Sequence, residues 1–322
     1  MSFEANTRRK VIRMAAITKP TGGGTSPVVA IPPVGILSQL VLQCSVTIAG
    51  TLSGLNAAGV ASVIRGVRLD LNTGISVVNV SGVGYNYAVR DFVNSGLDAT
   101  PQNGARAAVS AATFNFDMVF PITVNIRDMV GALLLQGDVL TASLTIDWEA
   151  DATVATGATV TGTVIPVLIV FEVPRDKADW PDFRIVHQWL EDKAVIAAAG
   201  DYPYNWPVGN VYLGTYHILL GTTWTAAKLM LQQSITLEDH TPATMRAILN
   251  QNVGRDFDLG SAPIAGSNQR VLWDFLGSDG LGEYGSVRDP IDSSILTALQ
   301  SIVTVAGAGT LYTVRRQLVT LQ

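Results

Sequence analysis

The chain has 322 residues, of which 48% are hydrophobic and only 15% are charged, and its formal net charge at pH 7 is −5. A typical soluble domain has about 25% charged residues, so this composition predicts a protein that buries much of its surface against partners. The longest uninterrupted apolar run, residues 164–171, is far shorter than the ~20 residues of a membrane-spanning helix, which excludes such a helix there. A single cysteine, Cys44, excludes an intrachain disulfide and a zinc cluster, and its apolar surroundings predict a buried, inert thiol.

The N-terminal segment, residues 1–34, differs in charge from the rest of the chain. Its first 20 positions contain one acidic residue, Glu4, and five basic residues, namely Arg8, Arg9, Lys10, Arg13 and Lys19. Residues 18–27 are rich in Gly, Pro and Thr without a hydrophobic pattern, which predicts an extended tether. Two interpretations of this basic arm stay open. It is either a solvated terminus or a contact with a polyanion, and that polyanion is nucleic acid or an anionic lipid surface.

Residues 35–174 are predicted to form the first of two β units. Stretches rich in Val, Ile, Thr and Leu are separated by Gly, Asn, Asp and Pro, which is typical of short strands and turns. The predicted strands cover residues 36–51, 62–74, 113–126, 138–150 and 160–173. Residues 84–92 predict a helical turn, and Pro166 places the last of these strands at a sheet edge or a bulge.

A Pro-rich linker, residues 175–207, precedes the second β unit, residues 208–322. The centre of the linker, residues 184–198, fits either a strand or a short helix. Strands of the second unit are predicted over residues 208–223, 227–240, 294–307 and 309–322. Thr241 as N-cap and Pro242 at the first helical position predict a helix that opens at this point.

The two units share several features in the same order. Arg-Asp-Phe occurs at residues 90–92 and again at 255–257, and Gly-Thr closes the first strand of each unit, at residues 50–51 and 221–222. These matches favour internal duplication, with chance similarity between β-rich segments as the alternative. The predicted fold class is therefore all-β, with two tandem jelly-roll barrels or sandwiches, short helical excursions and an extended N-terminal arm.

No catalytic motif accompanies this architecture, so the sequence predicts no catalytic residue, no organic cofactor and no enzyme. His187, His217 and His240 are far apart and lack metal-binding spacing. His217 lies in the apolar stretch TYHILL and is predicted to be a hydrogen-bonded core or interface side chain. Neither a P-loop nor a nucleophile elbow is present.

Three carboxylates alternate along one predicted strand. Asp147, Glu149 and Asp151 would project from one face of an extended strand, close enough to share a Ca²⁺ ion. Paired acids also serve in glycoside hydrolysis, although no aromatic cluster lies beside these three. The alternative is a solvated strand end, so the three residues are weak candidates for a structural calcium site.

The order of basic arm, Gly/Pro tether, β unit, Pro-rich linker and second β unit resembles the double jelly-roll major capsid proteins of icosahedral bacteriophages with an internal membrane, such as tectiviruses and corticoviruses. The resemblance implies a homotrimer whose six jelly rolls form a pseudo-hexagonal capsomer of an icosahedral shell. Arg8, Arg9, Lys10 and Arg13 would then face inward, toward membrane lipids or the genome, without reading base sequence. The implied partners are neighbouring capsomers and minor capsid or penton proteins. The expected location is the virion, assembled in the host cytoplasm, because the N-terminus lacks the apolar core of a signal peptide.

Two other functions stay in view. The first is another virion component, such as a minor capsid, spike or tail protein, which would share the β composition but form a different oligomer. The second is a carbohydrate-binding or polysaccharide-active jelly roll, which needs a groove lined by aromatic and acidic side chains. Six tryptophans are available for such a groove, namely Trp148, Trp180, Trp189, Trp206, Trp224 and Trp273.

Overall fold

A computed structural model of the protein describes residues 7–50, 60–90, 112–124, 129–135, 140–232, 234–253, 269–275 and 290–321. The chain divides into two compact units, the first comprising residues 1–190 and 320–322 and the second residues 191–319. Within the described ranges, no helix is both long enough and apolar enough to cross a membrane.

The first unit is built from short and long β-strands with a few helical turns. Its strands are β1 (Arg9–Arg13), β2 (Ile17–Thr18), β3 (Gly24–Thr25), β4 (Val29–Ile31), β5 (Gly35–Ala49), β6 (Ile64–Leu71), β7 (Ser76–Val80), β8 (Ala112–Pro121), β9 (Leu133–Leu135), β10 (Ala142–Trp148) and β11 (Thr159–Phe171). The helical turns are Val60–Val63, Gly82–Gly84, Tyr85–Val89, Asp151–Val154 and Lys177–Asp179.

These strands form two sheets in jelly-roll order. One sheet has the order β1-β11-β5-β8, with β2 on β11 and β9 on β5, and the other contains β7-β6-β10-β3, with β4 on β10. We count β3 and β4 together as one position. The first sheet then joins the first, eighth, third and sixth strands of the unit, and the second sheet joins the second, seventh, fourth and fifth. This is the strand order of two interlocked Greek keys, a jelly roll.

The second unit repeats that order. Its strands are β12 (Ile185–Ile196, of which residues 191–196 belong to this unit), β13 (Gly200–Trp206), β14 (Val211–Leu220), β15 (Trp224–Leu231), β16 (Ile235–His240), β17 (Arg270–Asp274), β18 (Ile291–Asp292), β19 (Leu299–Val305) and β20 (Gly309–Thr320). One sheet has the order β17-β14-β20-β12, with β18 on β14, and the other has the order β13-β19-β15-β16. The first, eighth, third and sixth main strands are again joined in one sheet, and the second, seventh, fourth and fifth in the other.

The two units also share their helical excursion. Between the fifth and sixth strands, the first unit has the turns at Gly82–Gly84 and Tyr85–Val89, and the second unit has helix α1 (Pro242–Val253). The all-β double jelly-roll prediction is therefore confirmed, and its repetition rests on strand order rather than on Arg-Asp-Phe. Of that motif only Arg90 lies within the described residues, since residues 91–92 and 255–257 fall outside them.

The core of the first unit is closed by contacts between its two sheets. Trp148 on β10 is fully buried. A Cβ atom added to Gly162 of β11 would lie only 2.9 Å from the nearest atom of the Trp148 indole ring. Tyr85, in the helical turn between β7 and β8, is also tied to the first sheet, since its hydroxyl accepts a hydrogen bond from the backbone N–H of Val119 on β8 at 2.7 Å. The two sheets thus enclose one hydrophobic layer.

Gly162→Val is expected to destabilise the first unit by about 1–3 kcal/mol, because the added methyl groups would displace a sealed indole in a filled core. The measurement is the midpoint of urea unfolding, monitored by tryptophan fluorescence. Thr161→Val is the matched control, since Thr161 lies on the same strand and is exposed. Equal midpoints for the two variants would contradict this packing.

The interpretation of Pro166 as an edge or bulge residue is wrong. β11 lies between β1 and β5, and Pro166 pairs in register with Leu42. Its carbonyl accepts from the N–H of Met14, so its missing N–H faces the break between β1, which ends at Arg13, and β2. A proline fits this central strand because the neighbouring strand is interrupted between β1 and β2, so no backbone N–H donor is needed at Pro166.

The structure also divides the chain differently from the sequence-based boundaries. Residues 1–34 contain β1 to β4, which are the first and second strands of the first jelly roll, so the tether interpretation of residues 18–27 is wrong. Residues 175–207 contain β12 and β13, the corresponding strands of the second. Within the second unit, Asp192 of β12 accepts a hydrogen bond from Tyr204 and forms an ion pair with Arg315, whose Nη2 lies 3.1 Å from Asp192 Oδ2.

Helix α1 begins as predicted. The hydroxyl of Thr241 accepts from the backbone N–H of Thr244 at 3.3 Å, which caps the first turn. Met245 of this helix is buried, and its Sδ lies 3.3 Å from the backbone N of Leu272 on β17. The helix therefore covers the backbone of a strand at the end of its sheet, which otherwise presents unpaired N–H groups.

Candidate assembly surface

Strand β1 holds the basic arm against the first sheet. Arg9 pairs in register with Phe171 and Arg13 with Val167, and Arg8, Arg9 and Arg13 are exposed. The fourth predicted residue, Lys10, lies with its Nζ 2.6 Å from Glu172 Oε1. The hydrogen bond and charge of Lys10 lower the pKa of Glu172, and the charge of Arg8 adds to this effect. Among the described residues, Lys10 is thus the one arm cation of these four that forms an ion pair.

The fifth basic residue of the arm, Lys19, is buried instead. Its side chain is 1% exposed and its Nζ lies 2.5 Å from Asp151 Oδ1. Asp151 also accepts from the backbone N–H of Val160 at 3.2 Å. Burial alone would raise the pKa of Asp151, but the Lys19 and Val160 hydrogen bonds and the Lys19 charge lower it. Lys19 therefore fixes the N-terminal strands to the first jelly roll.

The three carboxylates proposed for calcium do not share a strand face. β10 ends at Trp148, and Asp151 begins a helical turn, so the i, i+2, i+4 geometry is wrong. Asp147 accepts from Thr25 Oγ1 at 2.5 Å and lies 3.5 Å from Arg68 Nε, while Glu149 accepts from the N–H of Ala150. Within the described ranges, no group of three His, Cys, Asp or Glu side chains is arranged to hold a metal ion.

The outer face of the β1-β11-β5-β8 sheet is apolar over half its length. Cross-strand partners in an antiparallel pair point to the same face, which aligns Val11 with Ile169, and Val167 with Val41 and Val119. Val11 is 62% exposed, and the others are half-buried. The group formed by Val11, Val41, Val119, Ile165, Val167 and Ile169 is called the apolar face below.

The second unit contains a serine and histidine pair that is sealed from solvent. His217 Nε2 lies 2.7 Å from Ser301 Oγ and His217 Nδ1 lies 2.9 Å from Thr313 Oγ1. His217 and Ser301 are both 0% exposed, and burial lowers the pKa of His217 to about 3. The prediction of a hydrogen-bonded core histidine is confirmed, and no substrate reaches this pair in the folded unit.

Burial also decides two other sequence-based questions. Cys44 is buried, which raises the pKa of its thiol and confirms the inert-thiol prediction. Five of the six tryptophans are at most 2% exposed, namely Trp148, Trp189, Trp206, Trp224 and Trp273. Trp180, the sixth, packs against Phe183. Buried indoles hold the cores together and cannot line a sugar-binding groove.

Sequence reasoning missed the apolar face and the Lys19–Asp151 pair. The face had a signal, because the valines and isoleucines at both parities of residues 164–171 indicate a strand that is apolar on both sides. The Lys19–Asp151 ion pair had no signal in the sequence, since its partners lie 132 positions apart. Only the folded chain brings them together.

Together these features describe two jelly rolls with buried cores, of which the first has one partly apolar outer face. No family model and no curated protein matches the chain. Solved structures, by contrast, are similar to it over nearly its whole length.

Three of the similar structures are of viral proteins, two of which are named as major capsid proteins. The STIV major capsid protein, from Sulfolobus turreted icosahedral virus, has TM-score 0.71 and 12% identity and covers 97% of each chain. VP54 of PBCV-1 has TM-score 0.66 and 10% identity, covering 98% of this chain and 95% of that one. The major capsid protein P2 of bacteriophage PM2 has TM-score 0.58 and 12% identity and covers 98% of each. At these identities the likeness establishes the double jelly-roll fold.

Proposed function

We propose that this protein is the major capsid protein of an icosahedral virus. The observation that carries the proposal is the match of both jelly rolls, in one order and over nearly the whole chain, to major capsid proteins. The buried His217–Ser301 pair and the buried tryptophans support a structural rather than a catalytic or sugar-binding role. The location that follows is the virion, with assembly in the host cytoplasm.

The assembly unit in this proposal is a homotrimer whose six jelly rolls form a pseudo-hexagonal capsomer. Its partners are neighbouring capsomers and minor capsid or penton proteins. The low charged fraction, 15%, supports this arrangement, because large interfaces between copies are poor in charged residues at their centres. A minor capsid, spike or tail protein remains the alternative, and it would form another oligomer.

The test is the mass of the purified protein by light scattering behind a sizing column. A capsomer gives about three times the chain mass of 34.1 kDa, at micromolar concentration and physiological salt. A stable dimer would favour another virion component, and a monomer at every concentration would overturn the capsid proposal.

The basic residues at the start of β1 are proposed to face the interior polyanion. Arg8 and Arg9 are exposed and form no ion pair among the described residues, whereas Lys10 is neutralised by Glu172. Vesicles with anionic lipids are expected to retain the wild type at low salt and to release it as salt rises. Arg8→Gln/Arg9→Gln should lose at least about half of this retention, while Lys10→Gln should lose little. Retention by DNA-coated beads but not by vesicles would assign the contact to the genome, and retention by neither would overturn it.

A further inference from the structure

Two strands, β1 and β16, each end a sheet with one unpaired edge. Within the described ranges, β1 pairs only with β11 and β16 pairs only with β15. The carbonyl of Arg8 and the N–H of Met14 both face β11. Because successive residues of a strand alternate in direction, Arg9, Val11 and Arg13 point their backbone N–H and C=O groups away from β11. This edge of β1 therefore offers hydrogen-bonding groups that its own sheet does not use.

β16 is the less protected end of its sheet. β13, at the other end, contains Pro203, and a proline on an edge strand hinders the addition of a further strand. β16 contains no proline, and it exposes Ile235 and Leu237, which are 52% and 46% accessible. An edge with these properties is suited to pairing with a strand of another chain.

The first unit shows what covers the corresponding edge there. β7 is its fifth strand, as β16 is the fifth strand of the second unit. β7 pairs in parallel with β12 at Trp189↔Val78 and Leu190↔Asn79, and all four residues belong to the first unit. β12 is the first strand of its jelly roll, as β1 is of its own. β16 and β1 are thus the unpaired counterparts of a strand pair that the chain already forms once.

The register of that pair assigns a counterpart to Val78 in β16. Val78 pairs with Leu69, the sixth residue of β6, and Glu238 pairs with Leu229, the sixth residue of β15. Glu238 therefore occupies in the second unit the position that Val78 occupies in the first. Its side chain is 43% exposed and lies beside His240.

Arg13 corresponds to Trp189 in the same way. The carbonyl of Arg184 accepts from the residue that follows β20, and the carbonyl of Arg8 accepts from the residue that follows β11. Trp189 and Arg13 each lie five residues further along the chain. Arg13 is exposed and forms no ion pair with a described residue. Pairing β1 with β16 in the register of β12 on β7 therefore places this unpaired cation beside Glu238.

We propose that β16 of one copy binds β1 of the next copy as a parallel strand, with Arg13 beside Glu238. Two different surfaces of the chain meet in this contact, so it is heterologous and can close into a ring of three copies. The contact rests on the proposed capsomer and adds to it the strand pair that joins its copies. Arg8 and Arg9 lie at the other end of β1 and stay available for the polyanion.

A proline at Arg13 tests the strand pairing. Arg13→Pro removes an N–H that faces away from β11, and its ring blocks the approach of another strand. It is expected to weaken trimer formation at least about tenfold, and more than Arg13→Gln, which removes only the charge. Arg9→Pro is the matched control, because its N–H also faces outward but lies four residues before the contact, so the trimer should persist. Light scattering over a dilution series measures each equilibrium, and circular dichroism checks that each variant is folded.

A disulfide tests the register independently. Neighbouring strands lie about 4.8 Å apart, which fits the Cα separation of a disulfide. Oxidised Arg13→Cys/Glu238→Cys should therefore run on a denaturing gel as covalent species of up to three chains, whereas neither single variant should exceed two. Cys44 is buried and adds no link.

The outcomes separate this contact from the proposed function. If the wild type is a trimer, an Arg13→Pro trimer of unchanged stability would show that the pairing is wrong while the capsomer stands. Absence of cross-linked species in the double-cysteine variant would show the same. A monomeric wild type would instead overturn the proposed function itself.

Discussion

Lowering the pH from 7 to 3 is expected to destabilise the second jelly roll by about 4 kcal/mol through His217 alone. The imidazole is fully buried between Ser301 and Thr313, and its pKa falls to about 3. In the unfolded chain the pKa of histidine is about 6.5. Between these two values the unfolded state binds a proton that the folded state does not, so stability falls as the pH falls.

The measurement is the free energy of unfolding in urea at several pH values for wild type and His217→Gln. This variant is expected to be less stable than the wild type at pH 7. Its stability should change less on acidification, because the glutamine side chain has no proton to gain. The other titratable groups are the same in both proteins, so the difference between the two curves removes their contribution. His240→Gln is the control, because His240 is partly exposed beside Glu238, and it should keep the wild-type acid response. Parallel curves for wild type and His217→Gln would contradict the account.

Asp151→Asn is expected to destabilise the first jelly roll by about 2–4 kcal/mol. The change leaves the ammonium of Lys19, whose side chain is 1% exposed, without its counter-charge. Breaking a sealed ion pair typically costs about 3–5 kcal/mol, and the expected loss is lower here because Asp151 is 24% exposed. Asparagine keeps an oxygen that can accept from the N–H of Val160, so the loss of stability measures the effect of removing the negative charge.

Lys19→Met/Asp151→Asn removes the stranded charge and should recover at least half of the stability lost by Asp151→Asn. Lys10→Met serves as the matched control, since the Lys10–Glu172 pair lies in solvent and exposed pairs contribute little. Because the pKa of Asp151 is lowered, its contribution is present above the unfolded pKa of aspartate and is lost as the pH falls through the folded pKa. A double variant as unstable as Asp151→Asn would show that the pair does not anchor the N-terminal strands.

The long strands could be predicted from the sequence, whereas the short ones could not. In the second half of β5, alternation of apolar and polar residues reports one buried face. In β11, the continuous apolar run of residues 164–171 indicates a buried strand. β2 and β3 have two residues each, too few to show a period, and pairing with β11 and β10 makes them strands. Residues 1–34 therefore looked like an arm although they supply two positions of the first jelly roll.

A hairpin was also interpreted as one strand. Residues 227–240 were predicted as a single element, but β15 and β16 are separated by a turn with Gln232 at φ 50°. A left-handed turn is normally marked by Gly or Asn, and a glutamine gives no such signal. The buried histidine shows the same limit, since the partners of His217 lie 84 and 96 positions away.

The most direct test of the central claim, that this chain is a shell-building double jelly roll, is electron microscopy of the purified protein at raised concentration. The account predicts threefold particles of three chains, each with a hexagonal outline made by six barrels, and arrays or closed shells as concentration rises. Particles that contain one chain each and never associate would contradict it.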